Sequence, residues 1–117
     1  MNLFEIENLD RTIIVIPTAN LNEFEFERIE AGAEAILSLL ENAPAKNVVV
    51  DFHKIDYLGS TALSFFVKVW KRVSKQNGLM ALCNVSENEK EVLKTTRLDN
   101  LWPVCGSREE AMRMVRK

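Results

Sequence analysis

Two short runs constrain this chain more than any other feature. Thr12–Pro17 (TIIVIP) and Asn47–Phe52 (NVVVDF) are β-branched and apolar at almost every position, with little alternation. A strand with one wet face alternates with a period of two. An unbroken apolar run reads as a strand covered on both faces, as in parallel sheets flanked by helices. The neighbouring segments fit that reading. Phe26, Ile29, Ala33, Ile36, Leu37 and Leu40 recur at helical spacing, and Asn22 followed by Glu25 gives the helix a capping-box start. Asn42 and Pro44 stop it. A second helix is predicted from Ser60 to Asn77, with Gly78 at a C-cap position. Leu79–Val85 reads as a strand, and Ser86 with Glu89 opens a third helix. Leu101–Cys105 reads as a short last strand, and Ser107 with Glu110 opens a fourth helix. At the start of the chain, Leu3–Asn8 (LFEIEN) alternates apolar and acidic residues like an edge strand, and Asp10-Arg11 turns the chain tightly into TIIVIP. The pattern predicts an α/β fold over residues 1–117 as one domain. It has a mostly parallel sheet of four to five strands, an antiparallel edge strand and about four helices.

Composition narrows the function. With 117 residues, 47% hydrophobic and 27% charged, the chain can bury one core without staples. A formal net charge of −2 speaks against nucleic-acid binding. The N-terminus MNLFEIENLD is not a signal peptide, and no run approaches the ~20 apolar residues of a membrane span. The expected location is the cytoplasm. Cys83 and Cys105 lie far apart, with no CxxC pair and no neighbouring His. They read as reduced, buried thiols, and no metal or cofactor is expected.

Function in open α/β sheets collects at the carboxyl ends of the strands. The loop after the most buried-looking strand runs His53-Lys54-Ile55-Asp56-Tyr57-Leu58-Gly59 and delivers Ser60 and Thr61 to a helix start. Helix N-termini carry unpaired N–H groups and partial positive charge, so a phosphorylated hydroxyl is tolerated there. Two readings stand side by side: the hydroxyls cap the helix, or one of them accepts a phosphoryl group. Asp51 and Asp56 could form a carboxylate pair, but no nucleophile or metal-ligand set accompanies them. Asp56 is better read as an acceptor for loop N–H groups, and the single His53 as a loop residue. Phe65, Phe66 and Trp70 read as core. Lys68, Lys71, Arg72 and Lys75 share one stripe of the second helix, either as a solvated face or as a docking surface for an acidic partner. Trp102-Pro103 packs the last strand edge or anchors an interface. Arg108, Arg113, Arg116 and Lys117 make the last helix basic, and cations suit a helix C-terminus.

VVVDFHKIDYLGSTALSFFVKVWKRV resembles the core of STAS domains, the bacterial anti-sigma factor antagonists. The family pattern there is a hydrophobic strand ending in Asp, a short loop, Asp-Ser-Ser-Gly-Leu or a relative of it, and an amphipathic helix. The resemblance implies a partner-binding module without enzymatic activity. Its partner would be an anti-sigma factor of the serine-kinase type or a related signalling protein. Thr61 matches the residue phosphorylated in switchable members, with Ser60 as the alternative. Gly59 stands where an Asp is common, Ala62 at the usual Gly, and Asn22 in place of an upstream Asp that contacts partners. The contact set implied comprises Asn22, Asp56, Gly59, Ser60, Thr61, Lys68, Lys71 and Arg72. The missing acids also leave room for a scaffold of the same fold that is not phosphorylated. A receiver-type or nucleotide-binding domain lacks its acidic cluster or Gly-rich loop here.

Overall fold

The computed structural model describes residues 3–9, 11–19, 26–42 and 45–116. The strands are β1 (Phe4–Leu9), β2 (Thr12–Pro17), β3 (Asn47–Asp51), β4 (Met80–Cys83) and β5 (Val104–Cys105). The helices are α1 (Phe26–Asn42), α2 (Ser60–Lys75), α3 (Glu87–Thr95) and α4 (Arg108–Val115), with one 3-10 turn at Leu98–Asn100. The strands form one sheet in the order β1-β2-β3-β4-β5. Only β1 is antiparallel to its neighbour, and the other three pairings are parallel. This is the sheet expected from the unalternating strands and the LFEIEN hairpin.

The pleat sorts side chains between two cores. Ile13, Val15, Val48, Val50, Met80 and Leu82 project into the larger core with α1, α2 and α3. Ile14, Ile16, Val49, Ala81, Cys83 and Cys105 project to the other face, which Ala111, Met112 and Val115 of α4 cover. Successive β-α-β crossovers in one direction across a parallel sheet keep the same hand, so their helices fall on one face. The terminal helix α4 follows the last strand and takes the other. Phe66 meets Phe52 and Phe4 edge-to-face, with ring centroids 5.9 and 6.4 Å apart. Phe66 is thus core, with Phe65 and Trp70 packed at its margin. Trp102 is 1% exposed, so it fills the core and is no interface anchor.

Element ends depart from expectation for local reasons. The first helix is described from Phe26, and the expected Asn22–Glu25 capping box lies outside the described residues. β4 is shorter than Leu79–Val85 because Asn84 turns left-handed at φ 56° directly after Cys83. β5 is reduced to two residues because the 3-10 turn and the buried Trp102 precede it. The left-handed residue that closes α2 is Asn77 (φ 62°), not Gly78. Asn77 and Gly78 donate their N–H groups back to the Ser74 and Val73 carbonyls, which completes a Schellman motif. Gly78 is needed for a different reason: a Cβ there would collide with the Lys46 carbonyl. α3 begins with the expected capping box between Ser86 and Glu89. At α4, the Ser107 hydroxyl accepts from the Glu110 N–H.

Candidate functional site

The carboxyl end of β3 opens into residues 52–59 and is held there by one carboxylate. Asp51 is nearly inaccessible, and its side chain is 3% exposed. Its Oδ1 accepts from the His53 backbone N–H at 3.0 Å and from Asn84 Nδ2 at 2.9 Å. The His53 ring Nδ1 lies 3.0 Å from the same oxygen. Its Oδ2 accepts from Arg108 Nε at 3.0 Å. Burial pushes the Asp51 carboxyl up, but the hydrogen bonds from Asn84, His53 and Arg108 outweigh it and hold the group below the usual carboxylate range. Arg108 also reaches Glu7 of β1 at 3.4 Å. The network therefore ties β1, β3, the residue after β4 and the start of α4 to the root of the loop.

Arg108 had been expected to serve a helix C-terminus. It instead stands first in α4, where the macrodipole disfavours a cation, and two carboxylates compensate for that.

The rest of the loop is pinned from below. Ile55 and Leu58 are buried, and Ile55 N–H returns to the Phe52 carbonyl at 3.1 Å. Lys54 pairs with Glu5 at 2.7 Å. Ser86, the N-cap of α3, donates its hydroxyl to the Asp56 carbonyl at 3.1 Å while accepting from the Glu89 N–H. The buried Glu89 carboxylate accepts from the Ser86 N–H at 2.9 Å, which fixes the cap. Burial raises the pKa of Glu89, although its bonds to Ser86 oppose that shift.

The loop ends at α2. Gly59 is the N-cap, in an extended conformation (φ −92°, ψ 177°), and as a glycine it offers no capping side chain of its own. The first helical bond runs from Leu63 N–H to the Gly59 carbonyl. The N-cap position thus falls on Gly59 and on neither hydroxyl residue: Ser60 and Thr61 lie inside the first turn, where helix geometry leaves N–H groups without intrahelical acceptors. Thr61 is half-buried, Ala62 fully buried, and the Ser60 side chain is not among the features described. His53, Lys54, Asp56 and Tyr57 are exposed beside them. Asp56 does not meet Asp51 as a carboxylate pair, because both Asp51 oxygens are committed elsewhere.

The expected contact residues separate into two places. Asp56, Gly59, Ser60 and Thr61 share the loop end, and Asn22 lies outside the described residues. Lys68, Lys71 and Arg72 lie about 10 Å or more farther along α2, from the helical rise. There they line a groove of about 860 Å³ between α1 and α2. Lys68 pairs with Glu34 at 3.6 Å and Arg72 with Glu41 at 3.9 Å. The stripe is therefore partly neutralised by α1 through ion pairs that themselves stay exposed, with the Lys68 side chain 57% accessible. Sequence reasoning missed the convergence of Asn84 and Arg108 on Asp51 and the pairing of Glu7 with Arg108. The only local signal was an Asp at a strand end. Among the described residues, no group of three His, Cys, Asp or Glu side chains converges as a metal would require.

Known proteins share this fold. The family model for the STAS domain matches residues 4–111. A Bordetella bronchiseptica protein, BtrV, assigned as an anti-sigma factor antagonist, is 26% identical over 106 residues, which is 91% of this chain and 88% of that protein. The crystal structure of the Thermotoga maritima protein TM1081, likewise assigned, superposes with a TM-score of 0.86 at 23% identity, covering 97% of this chain and 95% of that one. The Bacillus cell fate determinant SpoIIAA, solved in unphosphorylated and phosphorylated forms, superposes with a TM-score of 0.73 in both, at 18% and 16% identity. Those matches cover 97% and 95% of this chain and 97% of each SpoIIAA chain.

Proposed function

This chain belongs to the STAS domain family, and on that premise we propose that it is an anti-sigma factor antagonist whose docking surface is built around the start of α2. The reading rests on one observation: a firmly anchored loop delivers Thr61, half-buried, to the first turn of a helix whose N-cap is a glycine. In its unmodified form the chain docks onto an anti-sigma factor of the serine-kinase type. Asp56, Gly59, Ser60 and Thr61 form the centre of the contact, and the upper part of α2 with Lys68, Lys71 and Arg72 flanks it. Asn22 belongs to the same proposed set by its place in the sequence. A protein of this fold has been solved in a phosphorylated form, which supports a phosphorylated state, and the motif resemblance makes Thr61 the proposed acceptor, with Ser60 as the alternative.

A phosphoryl group on Thr61 adds about −1.5 to −2 charges near neutral pH. The first-turn N–H groups and the positive end of the α2 dipole accommodate that charge, so the fold survives. The interface does not, because the partner must now desolvate a dianion. The chain itself acts by binding and not by catalysis.

The test is phosphorylation by the cognate kinase with ATP, followed by mapping of the modified residue. Phosphate on Thr61, and none on a Thr61→Ala variant, supports the reading. Full modification of Thr61→Ala at another residue refutes it. Gly59, in place of an acid beside the hydroxyls, favours a second reading: a constitutive scaffold of a bacterial signalling complex that is never phosphorylated. That reading predicts unchanged partner affinity for Thr61→Glu.

A further inference from the structure

We propose that Cys83 and Cys105 form a reversible intramolecular disulfide site that joins β4 to the edge strand β5. The two cysteines are direct register partners on neighbouring parallel strands. They project to the same face of the sheet and pack in the same small core under α4. Both are free thiols, 0% and 6% exposed. Neighbouring strands run about 4.8 Å apart, inside the roughly 4.4–6.8 Å Cα separation that a disulfide spans.

In-register parallel partners keep their Cβ atoms at about the strand spacing, so the bond requires them to close by about 1 Å. β5 can supply that movement. It is two residues long, lies at the edge of the sheet, and is preceded by the irregular 3-10 turn. A bond made this way is strained, which places it among the readily reduced, labile disulfides and not among the permanent structural ones.

The chemistry is thiol–disulfide exchange with a low-molecular-weight disulfide. Cys105 lies at the edge and is the first nucleophile. Its thiolate attacks one sulfur of the reagent, expels one small thiolate and forms a mixed disulfide. The Cys83 thiolate then attacks the Cys105 sulfur, forms the Cys83–Cys105 bond and expels the second small thiolate. The protein loses two protons and two electrons, which is two hydrogen atoms in mass, and the reagent takes up both to become two thiols. In the closed fold both thiols are held protonated by burial, and Cys83 is pushed up to about 12. Exchange therefore requires β5 to open locally.

The site also communicates with the loop. Asp51 is the register partner of Cys83, and Asn84 Nδ2, which donates to Asp51 at 2.9 Å, also approaches the Cys83 sulfur at 3.9 Å. Oxidation repositions that sulfur beside the Asn84–Asp51 bond that holds the loop.

The test is incubation of the full chain with excess oxidised glutathione at pH 8, in buffer and in urea below the unfolding transition. Free thiols are then alkylated, and intact mass and peptide mapping are recorded. The expected product is a monomer that has lost two hydrogens, with peptides linked between Cys83 and Cys105. It should form faster in the dilute urea and revert fully with dithiothreitol. Cys83→Ala should stop at a glutathione adduct on Cys105. A wild-type protein that stops at that adduct, couples only between molecules, or stays fully reduced in both buffers overturns the proposal. Far-UV circular dichroism of each variant confirms that the reacting species is folded.

Discussion

Replacing Asp51 with Ala should cost about 3 kcal/mol of stability, and part of that cost should vanish in acid. The substitution removes an almost inaccessible carboxylate that accepts from Asn84, from the His53 backbone and from Arg108. Stripping one partner from a buried ion pair typically costs about 3–5 kcal/mol. The Arg108 side chain retains 32% exposure and a second partner in Glu7, so solvent recovers some of the loss and the lower figure applies. The pH dependence has a definite sign. Hydrogen bonds place the folded Asp51 carboxyl below its unfolded value despite burial. A depressed folded pKa contributes stability that is complete above the unfolded value of about 3.9 and is lost as pH falls through the folded one. Glu89 acts in the opposite direction, because burial raises its folded pKa; its contribution is present at low pH and lost as pH rises through that value. The wild-type slope therefore mixes both groups, and the difference between wild type and Asp51→Ala isolates Asp51. Urea denaturation of both proteins at pH 7 and pH 3 measures this. The gap should be about 3 kcal/mol at pH 7 and clearly smaller at pH 3. A gap below 1 kcal/mol at pH 7, or one that is equal at both pH values, would show that Asp51 does not hold the loop by its charge.

Two further substitutions probe the scaffold. Gly78→Ala drives a Cβ into the Lys46 carbonyl, and overpacking of this kind costs about 1–3 kcal/mol; an unchanged thermal midpoint would contradict the close approach. Ser86→Ala removes the N-cap of α3 together with its bond to the Asp56 carbonyl. It should cost about 1–2 kcal/mol and speed amide exchange in residues 53–58 as well as in α3, whereas faster exchange in α3 alone would separate the cap from the loop.

Strand number, strand type and three of the four helix starts were legible because they are encoded locally. TIIVIP and NVVVDF cannot be half-solvated, and Ser86 and Ser107 announce their helices three residues ahead of Glu89 and Glu110. The illegible features depend on contacts between distant residues or on backbone conformations that the pattern does not encode. Arg108 read as one member of a basic helix, because nothing near it in sequence reveals Asp51, which is 57 positions away. The ion pairs of Lys68 and Arg72 were invisible in the basic stripe, because Glu34 and Glu41 belong to another helix and only the α1–α2 packing brings the two rows together. Gly78 carried a turn signal that the neighbouring Asn77 satisfies, while its own constraint is the approach of a backbone carbonyl from residue 46.

The anchoring of the loop bears on how modification at Thr61 could act. A charge added to a loosely held segment can melt or order it, and the signal is then a change of fold. Here the segment before α2 is fixed at its root by Asp51, in its middle by the buried Ile55 and Leu58, and from below by Ser86. Melting it would require those contacts to fail together. The helix end beyond it already favours negative charge. A phosphoryl group at that position therefore changes what the surface presents and leaves the backbone beneath it in place. The phosphomimetic Thr61→Glu should accordingly match the unfolding midpoint of the wild type to within about 0.5 kcal/mol even where it abolishes partner binding. Loss of stability and loss of binding in the same proportion would instead place the effect in the fold.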